Sequence, residues 1–539
     1  MPDRQHLSQL LATGCREVAD SPAVLSVDGQ CFSFAQLEGI ASAIAAFLVD
    51  SHGLQPADRV VIIAEKSPLI VAIALAAWKC GAIYVPLDEQ SPPERLDTIL
   101  KSVEPKVVVS GEKSLRKYAD RLATLPTLSY ETLAARCVAG PHPRAAVPAS
   151  VSPTDTAIII HTSGSTGVPK GVMLSHASIT SYFVNHNELI GYDTTCRGMN
   201  NGPFHFDISV QDTFLPLYFG ASVLFHRGSF IGPLMMKTLR EYGVTHLVVM
   251  SSVLTVLSRP PTDISVLASS RLRLVMTGGE LCDPKLINRW RTGLPHVRVL
   301  YGYGPTECNS LCMAFEIVEP DSSRTAPYPI GTPFPRMAAL LLDAEGKEIT
   351  APNETGVLAV SGNQLMSGYW KDPELTQRVL RQLHGRTHYV TGDHCYRDEE
   401  NRFHFVGRRD TEVKIRGYRV NLNEIRNALL NCDTVVYAYA GMVEARGEPK
   451  LVAFAQTTHP DPALKEALLA SLQSRVPHYA LPSCMFLSAD VPITTTNKVN
   501  EKLLNTLLGQ YLGSHPSATF LLIGDWAGAP VTAAAEALS

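Results

Sequence analysis

Short runs rich in β-branched residues, separated by stretches long enough for helices, constrain the fold of this chain more than any other feature. They are Arg59–Ile63, Lys106–Val109, Thr156–Thr162, Leu247–Met250, Leu272–Met276 and Val297–Tyr301. A run that is apolar at nearly every position suits a strand covered on both faces, and helical crossovers join such strands into parallel sheets. The expected fold class is therefore α/β, with a large N-terminal domain of layered, largely parallel sheets and helices. After Gly407 the texture changes. Glu412–Ile415, Val435–Tyr439 and Leu451–Ala455 read as strands and Ala463–Arg475 as an amphipathic helix, the elements of a small C-terminal α+β domain. At 539 residues the chain exceeds a single core. The boundaries predicted are 1–408 for the large domain, 409–512 for the small one, and 513–539 for a disordered or loosely docked tail. Pro141–Pro153, rich in Pro and Ala, reads as a surface loop.

Composition narrows the function classes. A net charge of −4 gives no reason to expect nucleic acid or an anionic membrane as a partner. The first ten residues lack the apolar core of a secretory signal, and the apolar stretch Leu69–Trp78 is too short to span a bilayer. Eleven cysteines without metal spacing suit reduced thiols, so a cytoplasmic location is expected, with the chain a monomer or weak dimer.

The strongest local signal runs from Ile160 to Gly171. A β-branched strand enters a segment of hydroxyls and glycines, Thr162, Ser163, Gly164, Ser165, Thr166 and Gly167, closed by Lys170. Glycines expose backbone N–H groups, hydroxyls add donors, and the lysine adds charge, so such a loop wraps a polyphosphate. A Walker loop needs Gly-Lys followed by Ser or Thr. Here Pro169 precedes the lysine and Gly171 follows it, so the Walker reading fails.

Further motifs follow in a fixed order: Phe32–Leu37, Trp78–Asp88, Phe204–Ser209, Tyr301–Glu307, Gly356–Tyr369, Thr391–Asp393, Phe405–Gly417 and Pro492–Lys498. With the phosphate loop, this series resembles the adenylate-forming superfamily of acyl-CoA synthetases, nonribosomal peptide synthetase adenylation domains and firefly luciferase. The resemblance is strongest to a free-standing amino-acid adenylation enzyme. It implies ATP and Mg²⁺ as cofactors, and a C-terminal domain that is mobile. Charge builds on phosphate oxygens during attack on the α-phosphorus, so the site needs cations and oriented donors. By the resemblance, Glu307 holds Mg²⁺, Thr306 donates to the α-phosphate and Tyr303 stacks on adenine. Asp393 accepts the ribose hydroxyls, Arg408 holds the ribose and phosphate region, and Gly279 lets backbone approach the base. Lys170 and Lys498 are the catalytic lysines, Lys498 bridging the substrate carboxylate and the ribose. Asp410 is the hinge, about which the Lys498 face gives way to a face from Lys414 to Gly417 that guides a pantetheine thiol. Two early motifs, Phe32–Leu37 and Trp78–Asp88, read as packing elements.

Some positions depart from the family pattern. Asn497 and Asn500 flank Lys498 in place of Gly and Asp, Glu412 replaces Gln, and Asn421 and Asn423 replace Glu and Gly. The resemblance implies that Asp207 pairs with a substrate ammonium, which separates amino acids from fatty or aryl acids, and that Phe206 gates the pocket. The other implied lining residues are Ile208, Gln211, Ser252, Met276, Gly278, Gly302, Ser310 and Leu311, with Lys498. A lining uncharged apart from Asp207 and Lys498 suits a neutral side chain, because an unpaired buried charge is costly. Proline-like, other small or medium, and β-amino acids all stay open. Only a faint echo of a carrier motif, Leu512–Ser517, follows Lys498. The expected acceptor is thus a phosphopantetheinylated carrier protein acting in trans, with free CoA as the alternative.

Overall fold

The computed structural model describes residues 6–138, 151–162, 169–226, 231–259, 261–280, 282–324, 326–408, 412–457, 459–492 and 499–523. Two compact units emerge, one of residues 1–89, 102–162 and 170–409, the other of residues 90–101, 163–169 and 410–539. The C-terminal boundary thus falls between Arg409 and Asp410, one residue past the predicted one.

The first unit carries three sheets. In the seven-stranded sheet Arg59–Ile63 lies between parallel neighbours Ile83–Pro86, the central strand, and Val107–Ser110. Thr156–Thr162 extends it beside Ile83–Pro86. In the nine-stranded sheet His246–Met250, Leu274–Gly278 and Arg298–Tyr303 run parallel in that order. All six predicted runs are strands, with ends shifted by a few residues at most. The third sheet departs from the parallel expectation. Met337–Leu342, Thr355–Gly362, Arg386–Arg397 and Phe403–Arg408 pair antiparallel throughout. Those strands mix buried and exposed positions, as strands joined by tight turns and covered unequally do.

The early motifs are packing elements. Ser33 and Gln36 form a reciprocal capping box that starts the helix Phe34–His52. That helix is long and apolar enough to cross a membrane by composition alone. Its face of Phe34, Leu37, Ile40, Ile44 and Leu48 is buried in the core. Trp78 is fully buried in the helix Pro68–Lys79, and its indole N–H donates to the Ala157 carbonyl at 2.9 Å. The motif thereby fixes the strand that leads into the phosphate loop.

In the second unit, Glu412–Ile415 and Tyr418–Asn421 form a hairpin. Arg416 (φ 50°) and Gly417 (φ 81°) both take left-handed backbone at its tip, as a two-residue turn matching strand twist requires. A four-stranded sheet carries helices Leu422–Leu430 and Leu464–Arg475 on one core and Glu501–Ser514 on the other. The expected tail needs correction. Glu501–Ser514 packs Leu504, Leu508 and Leu512 into the core, and Phe520–Ile523 adds a parallel strand beside Cys484–Ser488, so regular structure continues past the predicted boundary at 512. The weakly patterned sequence hid a strand whose partner lies some thirty residues earlier. Asn500 serves where the family has Asp: its side chain accepts from Leu503 N–H and caps the helix. Pro141–Pro153 lies mostly outside the described residues.

Candidate active site

The phosphate loop closes a β-hairpin. Thr156–Thr162 pairs antiparallel with Lys170–Ser175, and Thr162 stands directly opposite Lys170. A strand rather than a helix follows the lysine, which removes the Walker geometry on structural grounds. Cross-strand partners share a face. The Thr162 hydroxyl is buried with no partner among the described residues, so a phosphate oxygen would satisfy it. Ser163, Gly164, Ser165, Thr166 and Gly167 lie outside the described residues.

Lys170 reaches a buried carboxylate. Its Nζ lies 3.5 Å from Glu307 Oε1 and 3.4 Å from the Tyr369 hydroxyl. Tyr369 donates to the same Oε1 at 2.6 Å, and Glu307 is fully buried. This fits Mg²⁺ as a group shared between protein and phosphates: the hard cation takes few protein oxygens, and one preorganised carboxylate suffices. Among the described residues no cluster of three or more His, Cys, Asp or Glu offers an all-protein metal cage.

The strand Arg298–Tyr303 ends at Gly304 and Pro305, and a single 3₁₀ turn, Thr306–Cys308, follows. Tyr303 donates its hydroxyl to Asp393 Oδ2. Burial, reinforced by that carboxylate, raises the Tyr303 phenol well above its usual pKa and keeps it a donor. Asp393 is also fixed through its backbone, whose N–H donates to Thr391 Oγ1 at 3.0 Å. Arg408 is its cross-strand partner by register, but its side chain is outside the described set. Thr306 donates to Asp207 Oδ2 at 2.6 Å.

Sequence reasoning passed over Gln364 and gave Tyr369 no role. Fully buried, Gln364 donates to the carbonyls of Cys308 at 2.9 Å and Leu311 at 2.7 Å. Asn309 and Ser310 between them hold positive φ of 58° and 77°, a strained pair that needs such an outside clamp. Gln364 and Tyr369 lie in the Gly356–Tyr369 motif, whose presence was the available signal.

The predicted lining residues converge from distant segments. Asp207 precedes a π-helical turn, Val210–Phe214, of the kind that often marks functional sites. Gln211 in that turn lies 3.7 Å from Met276 Sδ and 3.5 Å from Ser310 Oγ. A Cβ on Gly302 would stand 2.8 Å from Met276 Cε and 3.1 Å from Leu311 Cδ1, so glycine brings these walls together. Gly278 pairs with Gly302 across adjacent strands, and a Cβ there would meet the Gly302 carbonyl oxygen at 2.2 Å. Gly279 has φ 79° with open space around it, as a close backbone approach requires. Ile208 packs on Gly202, and Phe206 is half-buried, its ring 4.6 Å from that of His205. Asp212 is structural: its carboxylate accepts from the N–H groups of Asn201 and Gly202 at 2.8 and 2.9 Å. Ser252 is held from behind, its N–H donating to Glu280 Oε2 at 3.2 Å. Glu280 was not foreseen. Lys498 and Asp410 lie outside the described residues, and Lys414 is exposed on its hairpin.

Comparison with known proteins identifies the family. The family model for AMP-binding enzymes matches residues 11–370. The chain belongs to that family, within the adenylate-forming superfamily its motif series resembles. It is 30% identical over 514 residues to tyrocidine synthase 2 of Brevibacillus parabrevis, covering 92% of this chain and 14% of that protein. It is 27% identical over 511 residues to delta-poly-L-ornithine synthetase of Acinetobacter baumannii, covering 92% and 36%. The chain thus spans only a minor part of these curated relatives. The crystal structure of IdnL1 superposes with a TM-score of 0.77 at 27% identity, covering 90% of this chain and 99% of that one. Amide bond synthetase McbA from Marinactinospora thermotolerans shares the fold, with a TM-score of 0.79 at 20% identity over 93% and 99% of the two chains.

Proposed function

We propose that this chain is an AMP-forming ligase that activates a neutral amino acid as its aminoacyl adenylate and loads it onto the phosphopantetheine thiol of a separate carrier protein. The observation that carries the reading is the 2.6 Å bond between Thr306 and Asp207. It joins the residue assigned to a substrate ammonium with the residue assigned to the α-phosphate. An α-amino acid bears ammonium and carboxylate on one carbon, so pairing the first with Asp207 presents the second beside Thr306. Two relatives are nonribosomal peptide synthetases by name, ivoA of Emericella nidulans and the probable non-canonical CymA of Salinispora arenicola, which supports a role in peptide assembly.

In the first half-reaction a carboxylate oxygen attacks the α-phosphorus, and the bond to the pyrophosphate oxygen breaks. Thr162 and Lys170 hold phosphate oxygens, Asp393 holds the ribose, and Glu307 would hold Mg²⁺, which supplies charge neutralisation between phosphates. Lys498 neutralises the incoming carboxylate. In the second half-reaction the thiol sulfur attacks the acyl carbonyl and AMP leaves, with Lys414 on the hairpin that guides pantetheine.

ATP–pyrophosphate exchange across α-amino, β-amino and aryl acids tests the reading. Exchange with amino acids is expected; exchange confined to acids without an amine would overturn it. Offering CoA and a holo-carrier protein as competing acceptors decides between carrier loading and CoA ligation. Lys414→Ala should retain exchange while thioester formation falls at least tenfold, and parallel loss of both would remove Lys414 from the thiol step.

A further inference from the structure

The implied substrate pocket has a polar end that the lining positions alone do not explain. Tyr182 and His186 stand one turn apart on the helix His176–Ile190 and so share a face. The His186 ring is fully buried between aromatic edges, 5.2 Å from Tyr182 and 5.1 Å from Phe334. Its Nε2 lies 3.3 Å from the Gln211 amide nitrogen. Gln211 in turn faces Ser310 and the Met276 sulfur, at 3.5 and 3.7 Å.

This network is incompletely satisfied. The contacts of the Gln211 amide lie at or beyond the long end of the hydrogen-bond range, although a carboxamide has two donor protons and two acceptor lone pairs. Burial drops the His186 pKa to about 3, so the ring is neutral and has one N–H to place. If the amide donates to Nε2, the proton sits on Nδ1, which is buried without a partner among the described residues. If the amide is turned over, Nε2–H donates to its oxygen and the NH₂ swings toward Ser310. In either arrangement His186 fixes the amide, and the amide keeps bonding capacity unspent.

We propose that His186 is a positioning residue that orients Gln211, so that Gln211 and Ser310 form a polar edge selecting amino acids with a hydrogen-bonding side chain over hydrocarbons of equal size. The inference rests on the amino-acid reading above and names its substrate class: neutral side chains bearing a hydroxyl or carboxamide. A hydrocarbon chain would seal the edge from water and leave the amide's remaining capacity unpaired, whereas a hydroxyl or carboxamide pairs it. Sites built to bond a substrate polar group reject the isostere lacking it for this reason.

Exchange kinetics with near-isosteric pairs test it: threonine against valine, serine against 2-aminobutyrate, and asparagine against leucine. The polar member of at least one pair should be preferred by about 10- to 100-fold in kcat/KM. His186→Phe should cut that preference about tenfold or more, mainly through KM for the amino acid and with KM for ATP unmoved, and His186→Asn should recover part of it. Where His186→Phe fails to fold, Gln211→Met removes the amide at similar volume and should show the same loss. Equal or greater activity with the hydrocarbon member of every pair, or a full polar preference in the folded variant, overturns the inference while leaving amino-acid activation intact. No exchange with any amino acid overturns the functional reading itself.

Discussion

Tyr369→Phe probes the buried charge cluster with the least disturbance of packing. The substitution removes one oxygen and keeps the ring. That oxygen donates to Glu307 Oε1 at 2.6 Å, and Lys170 Nζ stands 3.5 Å from the same carboxylate oxygen. Glu307 is fully buried and Tyr369 nearly so, so no bulk water replaces the lost donor. A hydrogen bond to a charged group in such a place contributes about 1.5–3 kcal/mol. Without it, Lys170 draws the carboxylate into a closer ion pair and turns it away from the position proposed for Mg²⁺. If that energy is needed to present Glu307 to the MgATP complex, kcat/KM for MgATP should fall roughly 10- to 150-fold. Half-maximal exchange should also require more Mg²⁺, with KM for the amino acid little changed. Pyrophosphate exchange across a magnesium titration measures both. A variant within about twofold of the native enzyme in both quantities would refute the claim that Tyr369 holds the metal carboxylate, because even half of the smallest bond estimate exceeds that difference.

Asp207→Asn keeps the shape but removes the charge assigned to the substrate ammonium. Exchange with amino acids should drop more than about 30-fold, the cost of breaking one charge pair, and an undiminished rate would sink the assignment. Gly278→Ala should destabilise the first unit by several kcal/mol, since its Cβ would sit 2.2 Å from a backbone oxygen on the neighbouring strand. A melting temperature within a degree of native would contradict that packing. Stability should also fall with acid. Burial, the largest cause for each, lowers His176 and His246 to about 4 and His186 to about 3, against 6.5 when unperturbed. The unfolded chain therefore binds more protons below pH 6.5, and stability present above that value is lost as pH falls toward the folded values. At pH 5 each histidine costs about 2 kcal/mol, so the melting temperature should begin to fall near pH 6.5; a flat profile down to pH 5 would refute it.

What the sequence made legible follows from how locally each feature is encoded. The run Thr156–Thr162 is a strand over the predicted residues because its four consecutive apolar side chains, Ala157–Ile160, are buried and a glycine-rich segment follows it. Trp78 is legible as a packing residue because a large apolar side chain in an apolar helix has nowhere else to go. Less of the antiparallel sheet from Met337 to Arg408 was legible, since its strands are half-exposed and their order depends on partners, not composition. The strand Phe520–Ile523 was missed for the same reason: four residues carry too little pattern without the neighbour that pairs them. Within the candidate site, motif order singled out the proposed residues, but the bonds among them cross the chain. Tyr369 meets Glu307 over 62 positions and Thr306 meets Asp207 over 99. No local pattern encodes a contact of that span, so Tyr369 and Gln364 stood in a quoted motif without a role.

The segment from Tyr303 to Glu307 shows what the fold adds to that residue set. Three of its five residues engage three separate features: Tyr303 binds Asp393, Thr306 binds Asp207, and Glu307 accepts from Tyr369 beside Lys170. Strand alternation followed by a 3₁₀ turn makes this possible, because each successive residue of such a turn points about a third of a circle from the last. Asp393, Asp207 and Glu307, the carboxylates proposed for ribose, substrate ammonium and Mg²⁺, are thus referenced to one short backbone stretch, itself clamped by Gln364 just beyond it. A displacement of that stretch would move all three together. Loosening the clamp with Gln364→Ala, which touches none of the proposed ligands, should therefore raise KM for ATP and for the amino acid in parallel. A rise in one alone would show that the three sites are held independently.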